Sequence, residues 1–183
     1  MRRFMNLFLL FALCCGCSTT EVRENPGNAV LAEALLAGIK GTTVQSVSGA
    51  WKDEAFAAEC VLKGNGEKLT AILLAPQMRL ATLTIEKPHT IRWERAARLP
   101  SSLDPEYVIF DIALISLSAA ELSRALGDDY RIDETADGKR RTVIDSKSGR
   151  LQSVRQLLPD GDVYFRNVPY GYELTVKTVS HEN

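Results

Sequence analysis

The chain has 183 residues, 45% of them hydrophobic and 25% charged, with 22 Lys and Arg against 23 Asp and Glu. That near-neutral balance excludes a strongly basic nucleic-acid binder, which needs an excess of cations to neutralise phosphates. No run of about 18 uninterrupted apolar residues is present to make a spanning helix.

Residues 1–17 read MRRFMNLFLLFALCCGC: two arginines, an apolar run over 4–13 broken only by Asn6, then small residues ending in cysteine. This is the pattern of a secretory signal. Gly16-Cys17 resembles the lipobox of bacterial lipoproteins, whose cysteine is lipidated and becomes the new N-terminus, so the resemblance implies Cys17 as a lipid anchor. An ordinary cleaved signal and an uncleaved anchor are the alternatives. Ser18 stands where an aspartate commonly marks inner-membrane retention, which implies sorting to the periplasmic face of the outer membrane by the lipoprotein sorting machinery. Loss of residues 1–16 takes Arg2 and Arg3 with it, leaving 167 residues with 20 basic against 23 acidic side chains. That length suits one domain. Residues 17–27 are polar with Pro26-Gly27 and read as a lipidated tether, and 28–183 as the single domain. Cys14 and Cys15 fall within the signal, so Cys60 is left alone. It alternates with Phe56, Ala58 and Leu62, as a small buried hydrophobe does, rather than a reactive thiol.

Asn28 is a candidate N-cap for a helix whose Val30, Leu31, Ala34, Leu35 and Leu36 form an apolar stripe ending at Gly38. From there the period changes to two, predicting strands over 44–49, 55–63, 67–75, 79–86 and 90–95. The short links Gly64-Asn65-Gly66 and Pro76-Gln77-Met78 make neighbours antiparallel. Asp104-Pro105 then supplies an N-cap and a proline at the first helical position for a helix to about Ser116. Ser118 to Glu121 is a capping box opening a second, with Leu122 and Leu126 on one stripe and Gly127 as its stop. Strands resume over 130–134, 140–145, 150–158, 162–168 and 172–179, separated by Asp137-Gly138, Lys147-Ser148-Gly149 and Pro159-Asp160-Gly161. About ten strands with one N-terminal helix and a mid-chain helical insert predict a mainly β fold, a strongly curved antiparallel sheet with helices over one face.

This order of elements resembles the lipoprotein carrier LolA and its outer-membrane receptor LolB, unclosed β-barrels with a helical lid. Residues 74–83, then 99–100 through 104–106 and 110–115, and finally 167–176 (NVPYGYELTV) are similar to a related family of uncharacterised outer-membrane lipoproteins, a domain of unknown function often encoded beside aryl-polyene and fatty-acid-synthase-like genes. The resemblance implies a lipid-handling architecture. Asp104-Pro105 and Gly127 end the insert 104–126 sharply on both sides, which reads as a movable lid; permanent cover of the sheet is the alternative. LolB has an exposed leucine in the loop corresponding to Pro76-Gln77-Met78 that helps insert cargo into the membrane, which makes Met78 the candidate insertion residue; turn filler is the alternative.

Within the expected lid, Asp111 is the one charge in the apolar run 107–115, flanked three and four residues away by Tyr107, Val108, Leu114 and Ile115. Burial raises the pKa of such a carboxylate unless it is paired. It serves either to position the helix or as a proton-linked gate. Tyr107, Val108, Phe110, Asp111, Leu114 and Ile115, with Tyr170 and Tyr172, are the candidate ligand-binding or lid residues. Trp51, Trp93, Phe165 and the two tyrosines read more readily as core than as ligand contacts. Arg92, Arg95 and Arg98 and the run Lys139-Arg140-Arg141 make two basic groups, read as a solvated face or as an anionic headgroup site.

No catalytic set emerges: His89 and His181 stand alone, no cysteine pair or phosphate-binding glycine loop is present, and Asp128-Asp129 reads as a solvated turn. No metal or cofactor is expected. The choice is between a non-catalytic binder of lipid, acyl-chain or lipoprotein cargo and an envelope scaffold whose core its own side chains fill. An apolar cavity of at least ~300 Å³ beneath the helices favours the binder.

Overall fold

The structure, a computed structural model, describes residues 18–24, 29–51, 54–88, 90–97, 99 and 103–182. In chain order it runs β1 (Ser18–Glu24), α1 (Ala29–Gly38), β2 (Lys40–Trp51), β3 (Glu54–Asn65), β4 (Lys68–Ala75), β5 (Met78–Glu86) and β6 (Thr90–Ala96). Helices α2 (Pro105–Ser116) and α3 (Ala119–Leu126) follow, then β7 (Tyr130–Glu134), β8 (Arg140–Asp145), β9 (Leu151–Leu157), β10 (Val163–Asn167) and β11 (Tyr172–Glu182). The eleven strands form one antiparallel sheet in the order β1-β6-β5-β4-β3-β2-β11-β10-β9-β8-β7. Strands β1 and β7 are its two edges, so the sheet does not close, and the expected mostly β, unclosed architecture is the one found.

Local chemistry makes these elements. The β3–β4 turn is held by Asn65, whose side-chain oxygen accepts from the backbone N–H of Glu67 at 3.0 Å and Lys68 at 2.8 Å. At the β8–β9 turn Asp145 accepts from Ser148 N at 2.6 Å. Such Asx turns favour the reversal. Asp104 caps α2, accepting from Glu106 N at 2.8 Å with Pro105 behind it. Ser118 and Glu121 form the capping box of α3. The proposed cap of α1, Asn28, lies outside the described residues.

Two meanders are fused at the centre by β2 and β11, with Val47 opposite Val176 and Gly49 opposite Leu174. A Cβ on Gly49 would lie 2.1 Å from the carbonyl oxygen of Glu173, so only glycine lets β11 approach this closely. Because β6 lies beside one edge and β7 is the other, the chain between them must cross the sheet. Helices α2 and α3 make that crossing over the concave face. Helix α1 lies beside them against β4, and its Leu31, Ala32, Leu35 and Leu36 share one buried core with Leu83, Ile85 and Ile91 of the sheet and Ile109 and Leu114 of α2. Full burial of each such side chain is worth roughly 1.5–3 kcal/mol.

Two expectations change. Val30, expected on the buried stripe of α1, is 57% exposed and Ala32 takes its place. Residues 18–24, expected to be tether, are strand β1, paired with β6 from Ser18 opposite Ala96 to Glu24 opposite Thr90. The physical reason is an otherwise open outer edge of β6, which offers unpaired N–H and C=O groups to a segment containing the β-branched Thr19, Thr20 and Val22.

Candidate functional site

Strand alternation sends Thr43 and Gln45 of β2 to the concave side, with Leu62 of β3, Val163 of β10 and Val176 and Thr178 of β11. The register places Gln45 opposite Thr178, Thr43 opposite His181 and Val163 opposite Val176. With Gly38, Ile39, Lys40, Ile115 and Ser116 these residues line a cleft of about 280 Å³. Ile39, Leu62, Ile115, Val163 and Val176 give it an apolar lining, and Lys40, Gln45 and Thr178 contribute polar groups. Thr43 Oγ1 and His181 Nδ1 share a hydrogen bond of 2.8 Å there. A site of this kind accepts an apolar chain carrying a polar end. Its volume falls just below the expected threshold, and part of the lining is polar. A wider depression of about 480 Å³ between Ser123 and Ser146 lies elsewhere, by the α3–β7 corner.

Helix α2 roofs the concave face and is fastened at its middle and at its C-terminal end. At mid-helix, Asp111 Oδ1 accepts from Asn167 Nδ2 at 2.9 Å, and Asp111 Oδ2 accepts from the Tyr172 hydroxyl. Asn167, 3% exposed, also donates to the Tyr172 hydroxyl at 3.2 Å and accepts from the backbone N–H of Tyr170. Gly171, at φ +66°, turns the chain between the two tyrosines. Tyr107 of α2 packs on Tyr170, ring centroids 4.5 Å apart. Burial pushes the Asp111 carboxyl up to about 7 against the lowering pull of the Asn167 hydrogen bond. The group therefore titrates near neutrality, and the NVPYGY segment is a clasp that holds α2 to the β10–β11 turn.

The C-terminal end of α2 meets two arginines. Arg141 Nη1 donates to the Leu117 carbonyl at 2.6 Å, while its Nε and Nη2 donate to Glu134 Oε1 at 2.9 and 2.8 Å. Arg155 Nε donates to the Ile115 carbonyl at 3.1 Å. The helix carries no basic residue in its own last turn, so the sheet supplies the cations that its exposed carbonyls and dipole favour.

The candidate residues separate accordingly. Ile115 lines the cleft; Leu114 is 1% exposed and packs wholly against protein. Phe110 packs at a tilt against Tyr130, ring centroids 5.8 Å apart, and Val108 is half-buried against the core. Asp111 and Tyr172 belong to the clasp, and Tyr107, Tyr170 and Met78 are exposed. Trp93 and Phe165 are core, as expected. Cys60 packs half-buried against that core, and burial pushes its thiol up to about 11. Arg141 overturns the solvated-face reading of its basic group: it is 5% exposed and paired, because it shares the inward parity of Val143. Cys17, His89, Arg98 and the Trp51 side chain lie outside the described residues. Thr43, Gln45, Val163, Thr178 and His181 were not foreseen. Among the described residues no acidic, histidine or cysteine cluster could hold a metal ion, and no helix is long and apolar enough to cross a membrane.

Among solved structures, a LolA superfamily protein from Nitrosomonas europaea is similar at 9% identity over 83% of this chain and 90% of that one, with a TM-score of 0.37. A DUF1329 family protein from Desulfovibrio piger is similar at 8% identity over 84% and 90%, with a TM-score of 0.42. A domain named as a candidate outer membrane lipoprotein-sorting protein from Vibrio parahaemolyticus is similar at 11% identity over 85% and 91%, with a TM-score of 0.36. No curated protein matches the chain. The family model described as a protein of unknown function, DUF3261, matches residues 42–180, the stretch that runs from β2 to β11 and carries the clasp and eight of the twelve residues that line the cleft. By that match over most of its length, the chain belongs to the DUF3261 family.

Proposed function

We propose that this chain is an outer-membrane lipoprotein, anchored through Cys17 on the periplasmic face, that binds or transfers lipid, acyl-chain or lipoprotein cargo on its concave face in a setting linked to aryl-polyene or related lipid biosynthesis. It works by binding alone, without catalysis or cofactor. The observation that carries this reading is the cleft under the C-terminal end of α2: an apolar lining with polar groups beside it, sized for a single chain. Helix α2 acts as the lid, with the clasp as its fastening, and Met78 is the insertion residue.

The test is uptake of a fluorescent undecanoic acid probe by the full chain. Saturable binding is expected, and Thr178→Trp, which fills the cleft from its exposed lip, should weaken it at least tenfold without moving the melting temperature. A second reading, a scaffold with a filled core, is favoured by the fully buried core that α1 shares with β4, β5 and β6. Absence of probe binding, or binding indifferent to Thr178→Trp, would select it.

A further inference from the structure

In an antiparallel sheet every strand starts at one end and finishes at the other, which divides this molecule into two rims. The first rim holds the start of β1, the end of β6, the β2–β3, β4–β5 and β8–β9 connections, the β10–β11 turn and the start of β7. The opposite rim holds the β3–β4, β7–β8 and β9–β10 turns, the start of β2 and the end of β11. Exposed large apolar side chains do not divide evenly between them. Phe56, Met78, Leu151 and Tyr170 lie on the first rim, and Tyr107 joins them through its contact with Tyr170. All three of the exposed aromatic residues among those described are in this group. The opposite rim carries Leu157 and Val179 but no exposed aromatic ring among the residues just counted, and ion pairs lie on both: Lys68–Glu86, Lys87–Glu67 and Lys139–Asp137 on the opposite rim, Lys147–Asp129 and Arg166–Glu173 toward the first.

The chain itself says what meets the first rim. Ser18 opens β1 there, opposite Ala96, one residue after Cys17 and close behind the apolar run of 4–13. One residue spans at most about 3.6 Å, and β5, which begins with Met78, is two strands from β1, or about 10 Å. Whatever a lipid on Cys17 or the apolar run enters is therefore within reach of Met78, and Phe56, Tyr170 and Leu151 stand farther along the same rim. Tyrosine, with an apolar ring and a polar tip, suits the water–lipid boundary.

We propose that the rim bearing Phe56, Met78, Tyr107, Leu151 and Tyr170 docks on a lipid bilayer, so that the sheet stands on end and the cleft opens at the far rim, by Lys40 and His181, away from the lipid. The proposal goes beyond cargo binding. It fixes an orientation in which cargo is exchanged with the aqueous side, while the Tyr107–Tyr170 contact of the clasp touches the membrane. A photo-crosslinking phenylalanine analogue placed singly at Phe56, Tyr170, Leu157 or Val179 in the full chain, reconstituted into phosphatidylethanolamine/phosphatidylglycerol vesicles, tests it. Irradiation should give lipid adducts at Phe56 and Tyr170 at least fivefold above those at Leu157 and Val179, read by mass spectrometry. Equal yields at the two rims overturn the proposal, as do adducts at Phe56 and Tyr170 with another copy of the chain instead of lipid. Co-flotation of each variant with the vesicles reports the anchor, and the undecanoic acid probe reports the cleft, so failure of either is told apart from failure of the rim.

Discussion

Between β3 and β6 the concave face presents Leu69, Leu83, Ile85, Ile91 and Trp93, all 4% exposed or less, and α1 lies on top of them. Across β2, β11 and β10 the same face presents Thr43, Gln45, Val163 and Thr178, none of them fully buried, beside the buried Val176 and Phe165, and α2 bridges over a space of about 280 Å³. One continuous sheet thus has a filled half and a half in which core is interrupted by a cleft. The difference follows from helix placement. A roof spanning two fastenings need not sink into what it covers, whereas α1 buries its apolar stripe Leu31, Ala32, Leu35 and Leu36.

The largest expected effect tests whether the halves differ energetically. Ile85→Ala removes a fully buried side chain from the filled half and should cost about 2–5 kcal/mol. Val163→Ala at the cleft wall, already half-exposed, should cost under about 1.5 kcal/mol. Denaturant midpoints compare the two, and equal losses would erase the distinction.

Next in size is the fastening of α2. Arg141→Ala strips Glu134 of its partner and leaves the Leu117 carbonyl without its buried donor. A loss of about 3 kcal/mol is expected, at the low end for breaking a buried pair because Glu134 keeps a 27% exposed side chain. Arg141→Lys should recover little of it, since one ammonium cannot span both acceptors in the guanidinium's fork. Full rescue by lysine would mean that charge alone, not geometry, holds the helix end.

Much of this comparison was legible where the signals are local. Asp104-Pro105, the Ser118–Glu121 box and the Asn65 and Asp145 turns act within four residues, so the sequence carries both partners side by side. Leu31, Leu35 and Leu36 revealed their burial by spacing. The cleft was hidden because its walls come from the two central strands: Thr43 and His181 stand 138 positions apart, and no local pattern announces that β2 pairs with β11. Asn167, which completes the clasp, is 56 positions from Asp111. Strand β1 was missed because a polar segment is recruited by an open edge elsewhere, not by its own apolar face. Arg141 is the instructive case, since its alternation with Val143 was in the sequence but was outweighed by the adjacent Lys139 and Arg140.

The smallest expected effect concerns the clasp, the part of the roof able to respond to conditions. The groups facing Asp111 are Asn167 and Tyr172 from the sheet, with the Tyr107–Tyr170 pair beside it, and no cation is bonded to it in this set. Its carboxyl is raised from 3.8 to about 7, chiefly by burial. Between about pH 4 and 7 the folded chain therefore holds a proton that the unfolded chain has released. Stability must fall as pH rises through that window and level off above it, by up to about 2 kcal/mol between pH 5 and 8. This runs opposite to Glu86, Glu121, Asp137 and Asp145, whose carboxyls are lowered by hydrogen bonds and whose contribution is lost only on acidification below about pH 4.5. Melting temperature followed from pH 5 to 8 separates the two trends. Asp111→Asn keeps an acceptor for the Tyr172 hydroxyl but cannot titrate, so its profile should be flat where the parent falls. Parallel profiles would remove Asp111 as the titrating group and leave the clasp as a fixed strut. A flattened profile accompanied by unchanged probe uptake would show that the clasp senses protons without controlling access to the cleft.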